Sequence, residues 1–386
     1  MYKKLSVFIA ACIGMAFFGI AFIVMGSVLP ALSAKYALSS LEAASLVTFL
    51  PIGVLLGSLI FGPIVDRYGY RILMVASIIF TVVGLEGLSF LNNMHLLRVS
   101  IFLIGFGGGM LNGSTNALVS EISNDHTRSA RLSILGACYG VGALLIPVLL
   151  GILSRYCSYE TILTGSGIFM LLSTVYFLTI RFPKPLNPQQ VPVRVMLKLI
   201  RQPILLIFSL FLFFQSGLEG LFNNWTTTYL TETVYNIHTE DIVFILTFFI
   251  LGMTITRLLL SKILEYTLHF MVLLVSIVLA AGGVIGLMLA KSFIGIAVSV
   301  FICGCGLAAG FPVMVALIGS VYHYIPGTAI GFSLFIALSG NSILNYLTGL
   351  WTHRFGISVF PLSLIILLLL QVVIILTNKK IINTHS

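Results

Sequence analysis

The sequence predicts an all-α membrane protein, twelve transmembrane helices in two pseudo-symmetric six-helix bundles, and three observations carry that expectation. Of 386 residues, 59% are hydrophobic and 8% are charged, with mean hydropathy +1.13, whereas soluble chains carry roughly a quarter charged residues. Between polar or Gly/Pro breaks the chain offers twelve apolar stretches, each near the ~20 residues a bilayer-crossing helix needs. The longest polar interruption, Arg181 to Gln202 with Pro183, Pro185, Pro188 and Pro192, falls at mid-chain. This length leaves no room for an extramembrane catalytic domain, and no GxxxxGK[ST] phosphate loop occurs. The expectation is a protein that is not an enzyme and needs no cofactor.

In chain order the spans start near Leu5, Ala43, Arg71, Leu96, Ala130, Tyr159, Pro203, Glu240, Thr267, Ser292, Gly327 and Gly356. The first run, from Leu5 to about Pro30, precedes a stretch that resembles a signal-peptidase site, Ala31-Leu32-Ser33-Ala34. It is too long for a signal core and many similar spans follow, so it is span 1. The boundaries are 1–181 for the first bundle, 182–202 for a cytoplasmic linker and 203–386 for the second bundle. An internal repeat supports the division: Phe102-Leu103-Ile104-Gly105-Phe106-Gly107 in span 4 resembles Phe301-Ile302-Cys303-Gly304-Cys305-Gly306 in span 10. Small residues at such positions let helices pack closely. The five cysteines, Cys12, Cys138, Cys157, Cys303 and Cys305, show no paired metal-ligand spacing and read as packing residues.

The net charge of +9 comes from basic residues scattered singly between apolar runs, which argues against nucleic acid as a partner. With both termini placed in the cytoplasm, only Lys35, Arg98, Arg155, Lys291 and Arg354 of the 20 Lys and Arg fall outside. That bias sets the orientation. The expected setting is the lipid bilayer of a bacterial cytoplasmic (inner) membrane.

Between spans 2 and 3 the chain reads Gly62-Pro63-Ile64-Val65-Asp66-Arg67-Tyr68-Gly69-Tyr70-Arg71, which fits GxxxDRxGxR. This loop resembles the signature of the major facilitator superfamily of secondary transporters. The resemblance implies the major facilitator fold, alternating access, and a gating role for Gly62, Asp66, Arg67, Gly69 and Arg71. Physically, Gly62 permits close helix approach, and Asp66 can accept from helix N-terminal amides or pair with an Arg. The matching loop of the second half reads as degenerate, with Gly252, Arg257 and Lys262 but no acid in the place of Asp66.

A softer resemblance covers Gly105 to Asn116, Gly136-Ala137-Cys138-Tyr139-Gly140-Val141-Gly142 running to Pro147, and Glu219 followed by Asn224, Trp225 and Tyr229. Together these are similar to the fucose/galactose/hexose symporter branch. The departure is that span 1 holds no acid and the span 4 acid, Glu121, lies at the cytoplasmic end. The protonation scheme of that branch therefore does not carry over.

Polar side chains at membrane depth face protein or a cavity, and a carboxylate there costs about 3 kcal/mol or more to insert. Asn112 and Asn116 on span 4, Gln215, Glu219 and Asn223 on span 7, and Asn341 and Asn345 on span 11 are spaced by four, so each set forms one stripe. With Trp225, and Tyr139 as a further member, they are the candidate substrate site. Glu219 is the candidate proton-coupling group, flanked by Gln215 and Asn223. The stripes are also what interhelical hydrogen bonds alone would require. Glu86 reads as structural. Glu121, Asp125, His126, Arg128 and Arg131 read as a solvated or gating cluster.

No Lys or Arg reads as lying within a span, which argues against an anionic solute and for a neutral one. The expected function is secondary active transport of a neutral sugar or similar small polar solute, coupled to a proton or sodium. The alternatives are proton-driven efflux of cationic amphiphiles and a non-transporting receptor or structural subunit.

Overall fold

The computed structural model describes residues 2–154, 156–184, 201–233 and 239–384, the side chains of residues 40, 41, 44 and 239–244 aside. Most of the predicted linker and Arg155 lie outside the described residues. Among the described residues all regular structure is helical: α1 (Lys4–Tyr36), α2 (Ser40–Tyr68), α3 (Tyr70–Phe90), α4 (Met94–Ile122), α5 (Asp125–Leu153), α6 (Tyr159–Thr179), α7 (Pro203–Thr233), α8 (Thr239–Ile263) and α9 (His269–Leu289). Then come α10 (Phe293–Val321), α11 (Pro326–Phe355), α12 (Val359–Thr377) and a short α13 (Lys379–Thr384). Twelve of these are long and apolar enough to cross a membrane.

Local chemistry explains the ends. α2 begins with a capping box in which Ser39 and Glu42 satisfy each other's backbone amides. Gly69, at φ 82°, makes the sharp passage from α2 to α3 that an L side chain would strain. α5 starts at Asp125, five residues before the apolar pattern announces it, because its first turn is polar and held by Asp125 itself, whose carboxylate binds Arg128 at 2.6 Å. α10 is interrupted at Ala308–Ala309. Pro312 has no amide hydrogen to give the Ala308 carbonyl, and Gly304, Gly306 and Gly310 weaken the helix around it. One face of α6 and of α9 leaves apolar side chains such as Leu172 and Val278 largely exposed, as lipid-facing positions are, while Leu163 and Leu273 on the other face are buried.

Two compact units divide the chain: unit 1 is Met1–Ile122, Cys138–Leu199 and Tyr322–Phe335, and unit 2 is Ser123–Ala137, Ile200–Val321 and Ile336–Ser386. α5 and α11 thus contribute to both.

In unit 1, α4 lies against α2 and α3 through glycines. A Cβ at Gly105 would strike the Leu50 carbonyl, one at Gly107 the Ser77 carbonyl, and Gly53 and Gly84 face the Phe102 and Ser100 carbonyls. In unit 2 the same contacts recur 199 residues later. Gly304 meets the Phe249 carbonyl, Gly306 meets Ala280, and Gly252 and Gly283 face the Phe301 and Ser299 carbonyls. The repeat seen in spans 4 and 10 is therefore one packing solution used twice, with backbone van der Waals contact replacing the hydrophobic drive that lipid cannot supply.

Candidate functional site

The break in α10 sets up the polar centre of unit 2. It frees the carbonyls of Leu307 and Ala308, and two side chains from other helices take them. Gln215 of α7 donates Nε2 to the Leu307 carbonyl and to Glu219 Oε1, both at 2.8 Å. Arg257 of α8 donates Nε to the Ala308 carbonyl at 3.4 Å and Nη1 to the Gly136 carbonyl of α5 at 3.1 Å. Its Nη2 lies 3.9 Å from Glu219 Oε1. Gln371 of α12 donates to Gln215 Oε1 at 3.1 Å, while its own buried Oε1 has no partner among the described residues. Glycines make room: a Cβ at Gly310 would overlap the Gln215 amide, and one at Gly136 would press on the Arg257 guanidinium.

Arg257 corrects the sequence reading twice. The sequence reading puts it in a cytoplasmic loop, yet it is 5% exposed and inside an apolar span, so a fixed cation does lie within a span. Its place in the repeat also differs. Gly252 is the counterpart of Gly53 in helix packing, not of Gly62, and the 199-residue register then pairs Arg257 with Ser58. Ser58 donates to the Gly109 carbonyl at 3.4 Å just as Arg257 donates to that of Ala308. By the same register Glu265 stands in the place of Asp66, so the second-half loop does carry an acid.

Further along α7, Asn223 donates to the backbone carbonyl of Glu219 at 2.9 Å and not to its carboxylate. Asn345 Oδ1 accepts from Trp225 Nε1 at 3.1 Å and from Asn224 at 3.0 Å. The Asn345 amide donates to Asn341 Oδ1 at 2.9 Å, and Asn341 packs on Gly220. The α7 and α11 stripes are therefore joined in unit 2. Tyr229 packs against Phe360, ring centroids 5.7 Å apart, which makes it a core residue.

Unit 1 holds the remaining stripe. Asn116 donates to Asn112 Oδ1 at 3.0 Å and to the Asn112 carbonyl at 2.8 Å, a geometry that repeats the Asn345–Asn341 pair. Tyr139 packs in tilted contact with Phe18 and Phe22, ring centroids 5.4 and 6.5 Å away.

At the signature loop, Asp66 accepts from the Thr328 amide at 2.9 Å and the Thr328 hydroxyl at 2.6 Å, in the first turn of α11. Gly62 lies against Gly327, where a Cβ would stand 2.7 Å from the carbonyl. Arg67 covers the Tyr68 ring at 4.9 Å, and Arg71 donates to the Leu178 carbonyl of α6. Of the two partners open to Asp66, the helix terminus is the one it uses. In unit 2 the counterpart of Thr328 is Ser129 of α5, and its Oγ meets Nε2 of His269, which stands in the register of Tyr70 and not of Asp66. Glu121 accepts from Tyr70 at 2.6 Å, and Glu86 accepts from Thr164 at 2.9 Å, a helix-packing contact.

An apolar groove on α8 and α10 is lined by Phe248, Ile255, Phe293 and Phe301 and carries no polar group.

The chain is 25% identical over 131 residues to the multi-drug resistance efflux pump PmrA homolog of Lactococcus lactis subsp. lactis (strain IL1403), covering 34% of this chain and 32% of that protein. In that match it spans about a third of the relative's length. It is also 25% identical over 366 residues to the glucose/mannose transporter GlcP of Bacillus subtilis (strain 168), covering 87% of this chain and 86% of that protein. Two solved structures share the fold. One is the proton:xylose symporter XylE bound to 6-bromo-6-deoxy-D-glucose, at TM-score 0.81 and 15% identity over 98% of this chain and 95% of that one. The other is FucP in the outward conformation, at 0.79 and 16% over 98% of both. The profile of the Major Facilitator Superfamily matches residues 11–343, most of the chain, and this multi-pass integral membrane protein belongs to that superfamily of transporters.

Proposed function

We propose that this transporter moves a neutral sugar or similar small polar solute by alternating access, coupled to proton influx through Glu219. In this reading residues 1–181 and 203–386 are the two rocking bundles, both termini are cytoplasmic, and the membrane is the bacterial cytoplasmic one. The observation that carries it is the Glu219–Arg257 pair. The carboxylate and the guanidinium offset each other, so the polar centre of unit 2 has no net charge to demand from a solute. Around the pair the hydrogen-bonding groups are amides, Gln215, Gln371, Asn341 and Asn345, with Trp225 beside them. Amides suit hydroxyl groups, and an indole face suits the CH face of a sugar ring. Similarity to GlcP along most of the chain supports the same class.

Protonating Glu219 removes its half of the pair, and Gln215, which donates to that carboxylate, is the first neighbour to feel the change. Arg257 then keeps only its carbonyl partners on α10 and α5. This gives the proton a route to backbone segments outside α7.

The test is uptake into proteoliposomes under an imposed pH gradient, with aldohexoses, 6-deoxyhexoses and pentoses as solutes. Accumulation of a neutral sugar that collapses with a protonophore supports the proposal, and the absence of any sugar-dependent proton influx defeats it. A second reading, efflux of cationic amphiphiles, draws on the Phe18, Phe22 and Tyr139 cluster and on the partial match to the drug pump. Lipophilic cations in the same assay, with the gradient reversed, test it.

A further inference from the structure

α1 and α5 cross within unit 1 almost backbone on backbone. A Cβ at Gly142 would strike the Ala16 carbonyl, and one at Gly19 would strike that of Tyr139. The crossing sets Ala16 against Gly142. One turn earlier on each helix the same register sets Cys12 against Cys138, on the same stripes. The two thiols lie close enough to interact with each other, and both are free and half-buried. The other cysteines differ: the Cys303 and Cys305 thiols point at the Ala280 and Gly252 carbonyls, at 3.6 and 3.7 Å, and Cys157 is exposed. Packing accounts for Cys303 and Cys305 but not for two sulfurs facing each other where glycine has brought the backbones together.

We propose that Cys12 and Cys138 form a redox-active dithiol that low-molecular-weight disulfides close into an α1–α5 cross-link. One cysteine sulfur attacks the oxidant's S–S bond and forms a mixed disulfide, releasing one small thiol. The second cysteine sulfur then attacks the protein-bound sulfur, forming the Cys12–Cys138 bond and releasing the other small thiol. Both cysteine protons end on the released thiols, so the dithiol is oxidised by two electrons and the oxidant is reduced by two. Backbone contact one turn away, at Ala16 and Gly142, favours the short Cα separation that a disulfide requires.

The place of the bond matters. Cys138 is the residue at which α5 passes from unit 2 into unit 1, so the cross-link fastens α1 to the first residue of the unit 1 segment. Resting on the transporter reading, the consequence is slowed conformational exchange with solute affinity unchanged. The chemistry itself does not depend on that reading.

The experiment uses the full-length Cys157→Ser protein in proteoliposomes, treated with 2-hydroxyethyl disulfide. Thiols titrated in SDS should fall from four to two. The intact mass should be about 2 Da lighter with no adduct, and dithiothreitol should reverse both changes. Digestion should yield one linked peptide pair holding Cys12 and Cys138. In the Cys12→Ser/Cys157→Ser protein the cross-link should be absent, leaving Cys138 free or carrying a mercaptoethanol adduct. Free Cys12 and Cys138 after treatment, or two separate adducts in place of the link, overturn the proposal whether or not any solute has been found.

Discussion

Asp66 caps α11: its carboxylate takes both the backbone amide and the hydroxyl of Thr328, 262 residues away in the chain. A carboxylate at a helix N-terminus answers unpaired amides and the positive end of the helix dipole together. Asp66→Ala removes both acceptor oxygens and should cost about 1–2 kcal/mol of whatever state holds this contact. Transport turnover should change while solute affinity stays within a few-fold. A variant that loses binding and keeps its rate contradicts a gating role.

Gly62 and Gly327 make the contact possible. Gly62→Ala would set a methyl 2.7 Å from the Gly327 carbonyl and 2.8 Å from the Thr328 Cα, and overpacking of that kind costs about 1–3 kcal/mol. The melting temperature in detergent should drop. Gly26→Ala, where no atom lies within 4 Å, is the matched control and should melt like the parent.

Arg257 holds two backbone carbonyls and faces one carboxylate. Arg257→Ala should destabilise the protein by about 1–3 kcal/mol, because it strands the partly buried Glu219 charge and two carbonyl acceptors. Arg257→Ala combined with Glu219→Gln should recover part of that loss, since the second change removes the stranded charge. Melting curves of the four proteins give the coupling energy. Additive losses would mean that the 3.9 Å separation carries no interaction.

Glu219→Gln mimics the protonated acid while still offering an acceptor to Gln215. Counterflow exchange of solute should survive and uphill accumulation should fail. Persisting accumulation would move the coupling group elsewhere, with Glu86 next to test, although its bond to Thr164 gives it a packing task.

What the sequence made legible follows from periodicity and composition. Span number and most starts are set by the length of apolar runs, and α5 was misjudged because its first turn is polar. The break at Ala308–Ala309 escaped notice because alanines are strong helix formers and the cause lies at Pro312 and the flanking glycines. Arg257 was hidden for a related reason: one charge near the end of an apolar run looks like a loop residue until its partners are seen. Those partners are backbone carbonyls of α5 and α10, which leave no mark in side-chain patterns. The stripes were readable, but who bonds whom was not. Gln215 and Asn223 flank Glu219 at equal spacing, yet Gln215 bonds its carboxylate and Asn223 its backbone carbonyl.

The doubled helix packing creates a hazard during membrane insertion. If α4 fits α2 and α3 by the same glycine contacts through which α10 fits α8 and α9, a newly inserted helix from one half can dock on the scaffold of the other with little loss of backbone contact. Correct assembly then has to be enforced where the copies disagree. Ser58 against Arg257 is such a place. A mispaired α8 would bring a buried guanidinium to α4 with no carboxylate near it, and a mispaired α2 would leave the Ala308 carbonyl with only a short hydroxyl in reach. The charge in α8 then also acts as an assembly checksum, and exchanging Ser58 and Arg257 should raise the fraction of kinetically misfolded chains as well as remove the partner of Glu219.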